Sequence, residues 1–109
     1  MAMTPEGRVK EAVKRVLKKH GVWYFLPVSN GMGSMGIPDF ICCYRGSFVA
    51  IETKAPGKLK NTTPNQDRVL KEISQNGGYA IVVDNAETAE NLINTLKEMK
   101  DGHIHQTQT

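Results

Sequence analysis

Long apolar runs are missing from this chain. No stretch approaches the length of a membrane span, and no charged segment leads into an apolar one at the start. A membrane-embedded or exported protein is therefore not expected, and a soluble, cytoplasmic one is. Cysteine is scarce as well: two residues, adjacent as Cys42-Cys43. Neighbours on a strand point to opposite faces and are badly placed to bridge, so a disulfide scaffold is excluded and two reduced core thiols are expected. Neither sign of charge dominates. With 14 Lys+Arg against 11 Asp+Glu the net charge is +3, which permits nucleic acid as a partner without requiring it. There is no internal repeat and no long linker. A chain of 109 residues has room for one sheet with helices on it and for no second core. The domain is expected over residues 4–99. A polar, flexible tail follows at 100–109, where His103 and His105 lack a third metal ligand.

What is present centres on residues 36–54. Residues 40–44 are apolar, Arg45-Gly46-Ser47 is a turn, and residues 48–51 are apolar again, which predicts a β-hairpin. Side chains alternate along a strand, so Glu52 and Lys54 share a face and Thr53 takes the other. The antiparallel return brings Asp39 beside them. Two carboxylates this close repel unless a cation separates them, and hard oxygen ligands suit Mg²⁺ or Mn²⁺. A lysine on the same face can hold a water or a phosphate oxygen next to that ion. This is equipment for metal-assisted phosphodiester hydrolysis.

Around the hairpin the chain reads as helix, three strands, helix, strand, helix. Thr4 and Pro5 open an amphipathic helix that stops at Gly21, with Val9, Ala12, Val13, Val16 and Leu17 inward. Its exposed lysines and arginines, Lys10 among them, are a solvated face or a DNA contact. Helical geometry turns Glu6 toward the body of the protein, either as a first-turn dipole partner or as part of the site. Residues 22–28 are too continuously apolar for a strand with one wet face, so this strand is central or covered by another subunit. The glycine-rich stretch 29–36, including Gly33 and Ser34, borders the site and lets backbone amides approach phosphate. Lys58 and Lys60, in the loop after Lys54, meet a phosphate backbone or are simply solvated. Thr63-Pro64-Asn65-Gln66 reads as a capping box, which gives Gln66 a structural role. The following helix turns Val69, Leu70 and Ile73 inward. Residues 79–83, continuously apolar, predict a strand buried on both faces and parallel to its neighbour. The last helix is capped by Asp84 or Asn85.

Pro38-Asp39 followed by Glu52-Thr53-Lys54 resembles the PD-(D/E)xK nuclease superfamily. Gly36-Ile37-Pro38-Asp39-Phe40, the Glu-Thr-Lys leading into Ala55-Pro56-Gly57-Lys58, and Gln66 look like the stand-alone form of the virus-type replication-repair nuclease (VRR-Nuc) family. The three-residue motif is unspecific by itself; its placement on a hairpin with these flanks is what narrows it. The resemblance implies an α/β restriction-endonuclease-like fold, an α-β-β-β-α-β core with a mixed sheet flanked by helices. It implies a divalent-metal-dependent, structure-selective DNA endonuclease. Asp39 and Glu52 would bind Mg²⁺ or Mn²⁺ with the Thr53 carbonyl, and Glu6 would join directly or through water. Lys54 would be catalytic and Gln66 a polar residue beside it. Stand-alone members look like homodimeric resolvases of branched DNA such as four-way (Holliday) junctions, from a phage, prophage or mobile-element setting. Flap and repair-intermediate cleavage, a non-catalytic DNA-binding module, and a small interaction protein with ordinary surface charge are the other readings.

Overall fold

Helix α1 (Pro5–Lys19) begins where expected, with the Thr4 hydroxyl accepting from the Gly7 amide and proline in the first turn. The structure is a computed structural model that describes residues 3–28 and 35–107, with side chains of the last helix described as far as Met99. Strand β1 (Trp23–Phe25) follows α1, then the hairpin of β2 (Phe40–Tyr44) and β3 (Ser47–Thr53), then α2 (Pro64–Gln75), β4 (Tyr79–Val83) and α3 (Ala86–Thr107). The hairpin loop has two residues, Arg45 at φ 51° and Gly46 at φ 88°. Positive φ at both central positions is the turn whose twist matches the paired strands. It sets the register from Tyr44 opposite Ser47 to Phe40 opposite Ile51.

The four strands lie in the order β1-β2-β3-β4, antiparallel except for β3 and β4, which run parallel as the intervening helix predicts. One sheet face packs on α1 and α3. Phe40, Cys42, Tyr44, Val49 and Ile51 are buried there with Val9, Val13, Leu17, Ala89, Ile93 and Leu96. Helix α2 lies against β4. It has no fully buried residue, and Val69, Leu70 and Ile73 are half-covered. Asn85, rather than Asp84, caps α3 by accepting from the Thr88 amide.

Three expectations need correction. The strand from residues 22–28 shortens to β1 and lies at the sheet edge, with Trp23 62% and Phe25 47% exposed. The sheet register puts both rings on the face away from the core, alongside Cys43 and Ile41. Nothing described covers that part of the face, so the central placement fails. Strand β4 is the opposite edge and is half-buried except at Val83, not buried on both faces. Cys42 is a core thiol, pushed up to about 12 by burial, whereas Cys43 alternates onto the open face and is exposed. Helix α3 is described as far as Thr107. Among the described residues no helix is long and apolar enough to cross a membrane.

Candidate active site

The hairpin register places Asp39, one residue before β2, at the end of β3 that carries Glu52, Thr53 and Lys54. Asp39 Oδ2 accepts from the Thr53 amide at 2.9 Å and from the Thr53 hydroxyl at 2.6 Å. Its other oxygen, Oδ1, lies 3.4 Å from Lys10 Nζ of α1. The Lys54 amide donates to the Val83 carbonyl at 2.8 Å, so the β3–β4 ladder continues past Thr53 and holds Lys54 on the strand line. Glu52 and Lys54 then project to the α2 side, where Lys54 Nζ sits 3.5 Å from Glu52 Oε2.

Gln66 joins these two groups. Its Nε2 donates to Glu52 Oε2 at 3.0 Å, and its Oε1 accepts from Lys54 Nζ at 3.1 Å. The same Oε1 accepts from the Thr63 amide at 3.0 Å, completing the capping box. The structural and the site reading of Gln66 hold together, because an amide oxygen has two lone pairs and its nitrogen two hydrogens. The helix cap thereby becomes the brace of the site.

Glu52 is 4% exposed, and its Oε1 is buried with no hydrogen-bond partner among the described residues. Burial, and secondarily the nearby Asp39 charge, push its carboxyl up to about 7, against the opposing pull of Lys54. A buried carboxylate oxygen without a donor is costly unless something positive reaches it.

Gly36 holds the approach to Asp39. Its φ is +77°, and a Cβ there would lie 2.4 Å from the backbone carbonyl carbon and oxygen of Asn65 and 2.7 Å from the Gln66 amide nitrogen. The segment before Asp39 is thus pressed on the first turn of α2, which only glycine permits. Gly36→Ala is expected to lower stability by about 2–4 kcal/mol, from positive φ plus overpacking against backbone, and to weaken cleavage by displacing Gln66. A urea unfolding midpoint unchanged from the parent would refute this.

The remaining expected site residues are dispersed. Glu6 is exposed in the first turn of α1, not turned into the protein. The residue of α1 that reaches Asp39 is Lys10, one turn later, on what periodicity makes the basic outer face. The i, i+4 relation between the two was the available signal. Lys58 and Lys60 are exposed, on a loop pinned by the Gly57 amide donating to Asp84 Oδ2 at 2.9 Å. That bond, with one from Asn85, holds the Asp84 carboxyl below its ordinary range. Gly33 and Ser34 lie outside the described residues.

Among the described residues no group of three His, Cys, Asp or Glu side chains converges. A magnesium-type ion does not need one: it commonly takes one or two carboxylates and fills its shell with waters and substrate phosphate. Asp39 and Glu52, with Glu52 Oε1 buried and without a partner among the described residues, fit such an ion. The Thr53 carbonyl is the adjacent backbone oxygen.

No protein-family model matches the chain, and no curated protein matches it. Among solved structures, one described as a VRR_NUC domain is similar, with a TM-score of 0.65 and 27% sequence identity over 84% of this chain and 97% of the other. The likeness spans most of both chains, bears out the resemblance and the restriction-endonuclease-like α/β fold, and supports a nuclease of that family.

Proposed function

We propose that this chain, a member of the VRR-Nuc family, is a divalent-metal-dependent endonuclease that cuts branched DNA as a symmetric pair of subunits. The observation that carries the reading is Glu52: buried, one oxygen without a donor, and set between Asp39 and Lys54. Such an arrangement is unfavourable in a protein that never binds a cation there.

Asp39 and Glu52 would hold Mg²⁺ or Mn²⁺, with the Thr53 carbonyl as a backbone ligand. When bound, the ion offsets charge on the scissile phosphate and lowers the pKa of a bound water. Lys54 orients the attacking water and offsets charge on the phosphorane. Its ammonium has three hydrogens, and with Gln66 and Glu52 engaging two, one remains for the substrate. Gln66 keeps Lys54 and Glu52 in register while the strand is cut. Cleavage would leave a 5′-phosphate and a 3′-hydroxyl. Lys58 and Lys60, with Gly33 and Ser34 of the preceding loop, would bind the DNA backbone.

Pairing of subunits is supported by the open aromatic face. Trp23 and Phe25 stack edge to face at 5.8 Å, and the register continues through Cys43 to Phe48, itself 44% exposed. A row of half-exposed rings on a sheet is what a second copy could cover, and a two-fold pair would present two sites to opposed strands. Trp23→Glu is expected to halve the mass measured by light scattering and to uncouple the two cuts on a four-way junction. A parent protein that is already monomeric would end the pairing proposal.

The experiment for the activity is a panel of labelled linear, flap, fork and four-way DNAs incubated with Mg²⁺ or Mn²⁺. Preferential cutting of the four-way substrate, abolished by EDTA, is expected. Binding to every substrate with cutting of none would favour a non-catalytic DNA-binding module.

A further inference from the structure

Asp39 is unevenly satisfied. Oδ2 is committed to the amide and the hydroxyl of Thr53, which leaves Oδ1 as the oxygen open to an incoming cation. That oxygen faces Lys10. Lys10 projects from α1 between Val9 and Val13, both buried, so its backbone position is set by the core. Its side chain is 36% exposed against 11% for Lys54, so solvent reaches Lys10 far more readily.

We propose that Lys10 is a second lysine of the active centre: its ammonium occupies Asp39 Oδ1 in competition with the divalent ion and binds a DNA phosphate when that ion enters. The inference rests on the nuclease reading above. A divalent cation and an ammonium on one carboxylate oxygen repel, and the flexible four-carbon stem of lysine lets the head group turn away. The charge it would then meet is the phosphate brought to the same end of the sheet. Lys54 cannot take this part, because Gln66 and Glu52 hold it inside.

The test is calorimetric titration with Mn²⁺, without DNA, of the parent protein and of Lys10→Met, Lys10→Gln and Lys10→Arg, each checked for folding by its melting curve. Met and Gln suit a half-exposed helix position, so two neutral variants guard against one misfolding. Both are expected to bind Mn²⁺ roughly two- to fivefold more tightly than the parent, the worth of a half-exposed ion pair, and Arg to stay near it. In Mn²⁺, the slope of DNA affinity against salt should fall by about 1 for the neutral variants, one phosphate contact fewer. Unchanged or weaker Mn²⁺ binding by both neutral variants, with the parent binding normally, overturns the role of Lys10 and leaves the nuclease reading intact. Absence of Mn²⁺ binding by all four proteins overturns both.

Discussion

Glu52→Gln is expected to abolish cleavage and, in metal-free buffer at pH 8, to make the protein more stable. The Glu52 carboxyl stands at about 7 in the folded chain against an ordinary 4.5, chiefly because it is buried and next because Asp39 is near. Between those two values the folded state binds more protons than the unfolded one. Stability from this group is therefore complete below about pH 4.5, declines as pH rises toward 7, and stays lost above it. That gap corresponds to about 3 kcal/mol at pH 8, in the absence of a cation. Glutamine keeps the shape and still offers an oxygen to Gln66 Nε2, while its amide carries no charge to desolvate. Melting temperatures across pH 4–9 with EDTA would show the two proteins converging at the acid end and the variant ahead at pH 8, by roughly 10 °C for a domain of this size. Mn²⁺ should raise the parent and leave the variant unmoved. A variant less stable than its parent at pH 8 would mean that Glu52 is well accommodated without metal.

Lys54→Met is expected to slow cutting by about 10² to 10⁴-fold, the usual range for a positioned proton-handling or charge-offsetting side chain. Methionine fills most of the volume of a lysine that is only 9% exposed, so the sheet end should not collapse. The loss has two origins. The ammonium no longer meets the reacting phosphate, and Glu52 loses the one charge that pulls its carboxyl down. Single-turnover cleavage of the preferred substrate, with DNA binding measured in parallel, separates rate from affinity: the rate should fall far more than the binding. Cutting within a factor of about three of the parent would remove Lys54 from the chemistry.

Much of the centre was legible in the chain because its logic is local. A glycine turn between apolar runs specifies a hairpin, alternation along β3 puts Glu52 and Lys54 on one face, and antiparallel return delivers Asp39. The capping box at Thr63 was equally readable, since its partners are three residues apart. Readings failed where the deciding partner was remote in sequence. A run of apolar residues at 22–28 does not say whether anything covers it, and here α2 lies toward β4 and leaves Trp23 and Phe25 open. Periodicity along α1 places its apolar residues inward, but it misplaces Glu6, which is exposed, and does not say which long side chain bends to Asp39; that is Lys10.

Local chemistry in the sequence thus determined the order of elements, the hairpin register and the gathering of Asp39, Glu52 and Lys54 at one end of the sheet, because strand alternation and capping act over a few residues. Only the folded chain decided that Gln66 braces Lys54 while capping its helix, that Lys10 covers the free oxygen of Asp39, and that an aromatic face stays open. Those outcomes depend on how helices settle against a sheet, and that is set by packing across the whole domain.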